Sequence, residues 1–375
     1  MLNFKKYALL ITFATLIVGI STVDMVKADK SFSELENRVL SKKPTLTSKS
    51  FLAGEYSGKY EKYINDQFLF RNSWIDLKSR AEYALGKIEN NGIIYGKDSY
   101  MFEKFDSLNE DTLTKNVDSI KVFMEKYNLP TTFALIPNSY MILGNKLPKG
   151  SVLLNQFDYI NTIYQFLDKS AIRSIDLSNI LSEHKEDYIY YRTDHHWTTY
   201  GAYLGYTTFV QSLGLSPVNL ETLNTTNVTD FYGTYFSKTK LFNALSDTIT
   251  YYPMDVSITI DAQPYEGLYD MEKWELRDKY AGFLWGNNGV TVIKSTHNMN
   301  KQDGQTSRIL VFKDSYANSF IPFLTYNFDE IHVIDLRSLP MKLSAYMSQY
   351  AFDEVLIMYN FKNFAEDTNI TRIKH

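Results

Sequence analysis

Two short, almost unbroken apolar runs constrain this chain most: Thr131-Thr132-Phe133-Ala134-Leu135-Ile136 and Arg308-Ile309-Leu310-Val311-Phe312. A strand with one wet face alternates apolar and polar residues, whereas an unbroken run must be covered on both faces, as at the centre of a parallel sheet. Helical patterns bracket each run. Asp111 to Tyr127 carries Val117, Ile120, Val122 and Phe123 ahead of the first, with Pro130 between them. A helix near Asp158 to Lys169, then strands near Ser174 to Leu177 and Tyr188 to Tyr191, continue the rhythm. After the second run come apolar Phe320 to Leu324 and the strand-like Ile331 to Arg337 and Glu354 to Asn360. This alternation predicts an α/β fold of three layers, α/β/α, around a central, mostly parallel sheet.

The rhythm breaks between about 216 and 306. Ser246 to Ile260 alternates and is rich in Thr, Ile and Tyr, which predicts an antiparallel addition, and Gly282 to Gly289 reads as a glycine-punctuated loop exposing a Trp. This insertion is expected to form a lid or substrate platform within a main domain spanning 91–375. Ahead of it, 29–90 reads as an extended arm from Phe32 to Ser50, followed by helices from about Tyr56 to Ile64 and Ser73 to Leu85. The second of these carries Trp74, Leu77, Ala81 and Leu85 on one face. Residues 1–28 have the form of a signal peptide: Lys5 and Lys6, an apolar run from Tyr7 to Ile20, and Val26-Lys27-Ala28 before a cut. Extended through Val23 the run reaches the lower edge of the roughly 17 to 25 residues that span a bilayer, so an uncleaved anchor is the competing form. Both put the remainder outside the cytoplasm.

Composition excludes more than it selects. The chain has no cysteine, which removes disulfides, thiolate nucleophiles and cysteine-ligated zinc, and its net charge of −4 gives no electrostatic case for nucleic acid. The 29 Tyr and 24 Phe fit an aromatic-rich composition without marking a site by themselves.

Chemistry concentrates at two strand ends. Tyr191-Arg192-Thr193-Asp194-His195-His196-Trp197-Thr198 follows the expected strand at 188–191 and precedes the helical spacing of Tyr203 to Val210. In an extended segment Asp194 and His196 share one side and His195 takes the other. Lys313-Asp314-Ser315-Tyr316 follows the second buried run, so Ser315 falls at the carboxyl edge of the sheet, where α/β proteins place ligands. A serine hydroxyl needs a base within hydrogen-bond reach. Histidine suits that task, and an ionised aspartate fixes the imidazole tautomer. The reading therefore takes Ser315 as nucleophile, His196 as base and Asp194 as orienter. Donors for a developing oxyanion are sought first in the amides of Ser315 and Tyr316 and second in Asn318, and Trp197 is offered as a floor for His196 or a sugar-stacking ring. Metal ligation is the rival use of the His/Asp cluster, but adjacent histidines point apart in an extended chain. No metal or cofactor is assigned.

The string Thr193 to Thr198 with Gly201-Ala202 resembles the signature of the bacterial DHHW family, and Lys313 to Tyr316 its second motif. That family in turn resembles the SGNH-hydrolase-like domains of alginate O-acetylation proteins, over roughly residues 90 to 375. The resemblance implies an SGNH-like α/β domain acting outside the cytoplasm on O-acetyl groups of polysaccharide, with Ser315, His196 and Asp194 again in their roles. It implies as partners a polysaccharide acceptor, an acetyl donor and a membrane-bound O-acyltransferase that delivers acyl groups. Acetyl transfer and acetyl-ester hydrolysis both fit, and a non-catalytic surface polysaccharide-binding protein is the alternative. Lys313 stands where SGNH proteins carry Gly, which leaves the oxyanion donors open, with Asn138, Asn360 and Arg337 as further candidates.

Overall fold

The computed structural model describes residues 4–33, 38–168, 172–301 and 304–375. Positions 34–37 of the expected arm, Lys169 at the end of an expected helix and 302–303 of the expected insertion lie outside them. The chain divides into two compact units, one of Met1–Lys87 with Ser237–Asn243, the other of Ile88–Phe236 with Ala244–His375.

In the first unit, helix α1 (Phe4–Val26) contains the 20-residue stretch Tyr7–Val26, long and apolar enough to cross a membrane. It continues past Val23, where the sequence reading ended the apolar run. At about 1.5 Å per residue its 23 residues exceed the ~30 Å of a bilayer's hydrocarbon core. The arm is not wholly extended, since Phe32–Ser33 pairs antiparallel with Arg38–Val39 and a short helix occupies Ser48–Leu52. Helices α2 (Glu55–Gln67) and α3 (Arg71–Ala84) follow. The Trp74, Leu77 and Leu85 side chains of the expected apolar face are exposed.

The second unit holds the sheet. A small antiparallel sheet of Glu89–Asn90, Ile93–Tyr95 and Met101–Glu103 leads to helix α4 (Glu110–Tyr127), whose first turn is capped by the Asn109 side chain and ends at Asn128 in the left-handed conformation. Strand β1 (Thr131–Ile136) is buried throughout, followed by α5 (Gln156–Leu167), β2 (Arg173–Asp176) and α6 (Thr199–Ser212). A two-stranded ribbon, β3 (Thr226–Phe231) and β4 (Asp247–Tyr251), precedes β5 (Ser257–Ile260), β6 (Gln263–Glu266) and β7 (Val290–Lys294). The chain closes with β8 (Arg308–Lys313), β9 (Glu330–Ile334) and β10 (Glu354–Asn360), the last buried along its whole length.

The eight-stranded sheet runs β6-β5-β7-β9-β8-β10-β1-β2. Strands β9, β8, β10, β1 and β2 are parallel, and β7, β5 and β6 extend one edge antiparallel. From β8 the chain moves to β9 on one side, then crosses to β10 on the other. The crevice outside the carboxyl ends of β8 and β10 is therefore a topological switch point, where open α/β sheets bind ligands. The Ser246–Ile260 pattern divides: β4 pairs in the ribbon, while β5 joins the main sheet.

One expected strand is absent. Tyr188 to Tyr191 forms only an isolated bridge, Tyr190 to Trp197, because the chain turns back after Tyr191: the Tyr191 amide donates to the His196 carbonyl (3.2 Å) and the Thr198 amide to that of Ile189 (2.9 Å). Thr198 then caps α6 through the Gly201 amide. Gly201 is required here, since a Cβ on it would lie 2.4 Å from the Ile189 carbonyl oxygen. Gly201→Ala should lower stability by about 1–3 kcal/mol as backbone is forced apart, read as a reduced urea midpoint at unchanged slope.

Candidate active site

The turn 191–196 is fastened to the ribbon by one carboxylate. Asp247, at the start of β4, accepts from the Arg192 amide (2.9 Å), the Thr193 amide (2.8 Å), the Thr193 hydroxyl (2.6 Å) and the Tyr188 hydroxyl. Burial pushes its carboxyl up, and these four donors work against that. The segment after β3 docks on the same turn: the Tyr235 and Phe236 amides donate to the Thr193 carbonyl, and the Gly233 amide to the Thr193 hydroxyl.

With the turn so held, Asp194 Oδ1 lies 2.6 Å from His196 Nδ1, and His196 Nε2 lies 2.8 Å from Ser315 Oγ. The second oxygen of Asp194 accepts from the Thr234 amide (2.7 Å) and hydroxyl (3.1 Å). Asp194 and His196 are buried, and Ser315 is partly open to solvent. Burial opposes the Asp194 charge, but the His195 and His196 imidazoles and these hydrogen bonds hold its carboxyl well below the usual carboxylate range. Burial, helped by His195, draws His196 down to about 4 against the pull of Asp194. Near neutral pH the pair is thus an ionised carboxylate and a neutral imidazole. With Nδ1–H donated to Asp194, Nε2 is left to accept the Ser315 proton.

Two supports for this geometry carry no sequence signal. The Tyr280 ring stacks on His196 at 3.7 Å between centroids and 9° between planes. Its hydroxyl sits 3.1 Å from the Ser315 carbonyl, 3.3 Å from that of Tyr316 and 3.1 Å from Ser319 Oγ. One side chain therefore ties the base to the turn bearing the hydroxyl. Thr234 and Gly233, which close over Asp194, are the other. Sequence reasoning missed both because Tyr280 and Thr234 lie far along the chain in segments without periodicity.

Ser315 begins a 3-10 turn, Ser315–Ser319, directly after β8. Asp314 caps that turn through the Tyr316 amide (2.9 Å), and its other oxygen accepts from the Asn360 amide and Asn363 Nδ2, both 2.8 Å. It thereby joins the carboxyl ends of β8 and β10. Lys313 is buried beside it, its ammonium donating to Asn287 Oδ1 (2.7 Å) and Asn318 Oδ1 (2.8 Å), 3.8 Å from Asp335. Burial lowers this amine to about 8, with Asp335 opposing the shift.

The remaining sequence candidates fall in different places. The Tyr316 amide is spent on Asp314, which removes it as an oxyanion donor, while the Ser315 amide meets no protein acceptor among the described residues. Asn318 is turned by Lys313 so that its Nδ2 faces Asn287 Oδ1 (3.2 Å) and the Gly286 carbonyl (3.4 Å). Arg337 is locked onto Asp335 by two bonds, 2.8 and 2.5 Å. Trp197 is wholly buried and donates Nε1 to the Tyr316 carbonyl (2.8 Å), so it reaches no sugar, and the floor under His196 is Tyr280. Asn138, after β1, accepts at Oδ1 from Gln156 Nε2 (2.8 Å) and Asn360 Nδ2 (3.2 Å), which leaves its own NH2 without a protein acceptor among the described residues. The two histidines do not point apart: their rings are 3.8 Å apart, because 191–196 is a turn and not an extended segment.

Asp194, His195 and His196 are also the described cluster whose ligand atoms, within 4.8 Å of one another, suit a cation. Both nitrogens of His196 and both oxygens of Asp194 already have hydrogen-bond partners, so an ion there would have to displace the relay.

A partly parallel sheet with a switch-point serine and this Asp-His pair defines an SGNH-hydrolase-like α/β protein. The family model described as DHHW protein matches residues 154–334 of this chain. A DHHW family protein of Eubacterium siraeum has the same fold at TM-score 0.65 and 22% identity, over 76% of this chain and 96% of that one. PatB1 of Bacillus cereus matches at TM-score 0.57 and 22% identity, over 74% and 98%, and has also been solved with a sulfonyl adduct. In sequence, the chain is 22% identical over 166 residues to a probable alginate O-acetylase, AlgJ, of Pseudomonas syringae pv. tomato, and spans 42% of that protein's length.

His196 must be unprotonated to accept a proton. Labelling of Ser315 by a sulfonyl fluoride should therefore persist as pH is lowered past 6 and fall only near pH 4; an acid limb at the ordinary histidine value would contradict the buried, neutral base. In Gly233→Ala the added Cβ would lie 2.1 Å from Asp194 Cβ and 2.3 Å from its Oδ2. Labelling at pH 7 should slow by about tenfold or more while the circular dichroism spectrum stays unchanged.

Proposed function

We propose that this protein is an extracytoplasmic serine-dependent O-acetyltransferase or acetylesterase of cell-surface polysaccharide, working through an acyl-Ser315 intermediate. The observation that carries the reading is the unbroken hydrogen-bond path from Asp194 through His196 to the Ser315 hydroxyl. Ser315 Oγ attacks the acetyl carbonyl while His196 Nε2 takes the hydroxyl proton. The tetrahedral adduct then expels the donor's oxygen, which leaves with that proton, and acetyl-Ser315 remains. An incoming hydroxyl repeats the sequence in reverse: His196 removes its proton, the new ester forms, and the proton returns to Ser315. Asp194 stays ionised throughout and stabilises the imidazolium.

The oxyanion of each adduct needs donors fixed in advance. The Ser315 amide and Asn138 Nδ2, both at the carboxyl edge of the sheet and without protein acceptors among the described residues, are the candidate donors. A sugar hydroxyl as acceptor makes the reaction a transfer, and water makes it hydrolysis. The likeness to a probable alginate O-acetylase supports the acetyl ester as the bond concerned. The apolar α1 helix supports a site outside the cytoplasm, where acyl groups would be delivered by a membrane-bound O-acyltransferase.

Hydrolysis of an aryl acetate should fall at least ~10³-fold in both Ser315→Ala and His196→Ala. Equal rates in all three proteins would sink the reading. Mass gain of acetyl units on an oligosaccharide incubated with protein and acetyl donor separates transfer from hydrolysis. Asn138→Ala should lower kcat by about 10²-fold with KM little changed, the pattern for a donor used only in the transition state.

A further inference from the structure

An open cleft of about 390 Å³ lies beside the turn that carries His196, within the ~300–1,000 Å³ of small-ligand pockets. Its lining includes Tyr188, Tyr200, Tyr252, Thr248, Thr250 and Asp187. Three ring contacts in series link it to the relay: Tyr188 to Tyr191 (6.1 Å), Tyr191 to Tyr280 (6.3 Å) and Tyr280 to His196 (3.7 Å). The cleft lining holds none of the reacting groups.

We propose that this cleft is a subsite that anchors a neutral stretch of the acceptor polysaccharide away from Ser315, an inference that rests on the function proposed above. A pyranose offers apolar C–H faces bordered by hydroxyls. Aromatic side chains with a polar tip match that surface, the ring taking the C–H face and nearby oxygens the hydroxyls. Thr198 and Thr199 spend their hydroxyls on the Tyr188 and Thr250 carbonyls, and Tyr188 donates to Asp247. The Thr248 and Tyr252 hydroxyls have no protein partner among the described residues, and one Asp187 oxygen is taken by His184 while the other is left. Hydroxyls without protein partners therefore sit beside the partly exposed Tyr188 and Tyr200 rings.

Charge decides the class of polymer. The lining contains no Lys or Arg, and its single charged group is the Asp187 carboxylate. The nearby Arg192 guanidinium lies 4.7 Å over the Tyr188 ring and 3.8 Å from Asp247. A uronate chain would bring carboxylates against Asp187 with no lining cation to receive them, whereas a neutral sugar meets only hydroxyls and rings.

The test uses the full chain in detergent with Ser315→Ala, so that no probe is turned over, titrated by calorimetry with cellohexaose, chitohexaose and hexagalacturonate. Saturable binding of at least one neutral hexasaccharide is expected, with none of the uronate. Tyr200→Ala, which removes a partly exposed ring, and Thr248→Trp, which fills the cleft, should each weaken binding about tenfold or more. Neither should alter the melting temperature, nor aryl acetate hydrolysis when Ser315 is restored. Absence of binding by both neutral probes, binding of the uronate as tight as theirs, or indifference to both substitutions would each overturn the proposal. Because binding is read without Ser315 and hydrolysis without a saccharide, loss of one conclusion does not carry the other with it.

Discussion

The Asp247 carboxylate is the interaction on which the site geometry rests. It gathers two backbone amides and two hydroxyls from 188–193, and so fixes a turn that no regular secondary structure would hold. A buried carboxylate without such donors would cost several kcal/mol or take up a proton. The turn and the carboxylate are stable only together. Bridging of Tyr190 to Trp197 closes the loop behind it, and the Trp197 indole then reaches the Tyr316 carbonyl, so the histidine and serine segments are joined below the site as well as within it.

That arrangement explains the electrostatics. Asp194 is buried yet ionised because every acceptor position on it is used by a donor: the His196 ring and amide on one oxygen, Thr234 on the other. The neutral imidazole above it is sandwiched against Tyr280, which limits its rotation and shields it from water. On the serine side Asp314 plays a structural part. It accepts from three donors that bind β8 to β10 and aim Ser315 from the switch point. Lys313, next to it, is a buried ammonium held between two asparagines and Asp335. The Asp335 charge is itself offset by Arg337.

How far the site could be read in advance depended on distance along the chain. Ser315 was legible because an unbroken apolar run ending in a polar cluster has few placements in an α/β fold. His196 and Asp194 were legible because they are two residues apart. The same local logic failed for His195, since it assumed an extended backbone where the chain turns, and for Trp197, whose ring is drawn inward by the Tyr316 carbonyl. It failed for the Tyr316 amide because an aspartate at the N-cap of a helical turn takes the N–H two residues on for itself. Tyr280, Thr234, Gly233 and Asp247 sit in stretches of irregular backbone, where side-chain type carries no information about the partner it will meet.

The sequence by itself determined the class of architecture and pointed to the Asp194, His196 and Ser315 side chains that the fold brings within hydrogen-bond reach, because hydrophobic periodicity and short-range spacing are local properties that survive any arrangement of the loops. Only the tertiary structure decided which donors remain open around Ser315, which ring lies under His196, and that a tyrosine-lined cleft borders the turn. Those outcomes depend on groups brought together from 188–200, 231–252, 280 and 313–319, and packing and hydrogen-bond competition among distant segments are not encoded at any one position of the chain.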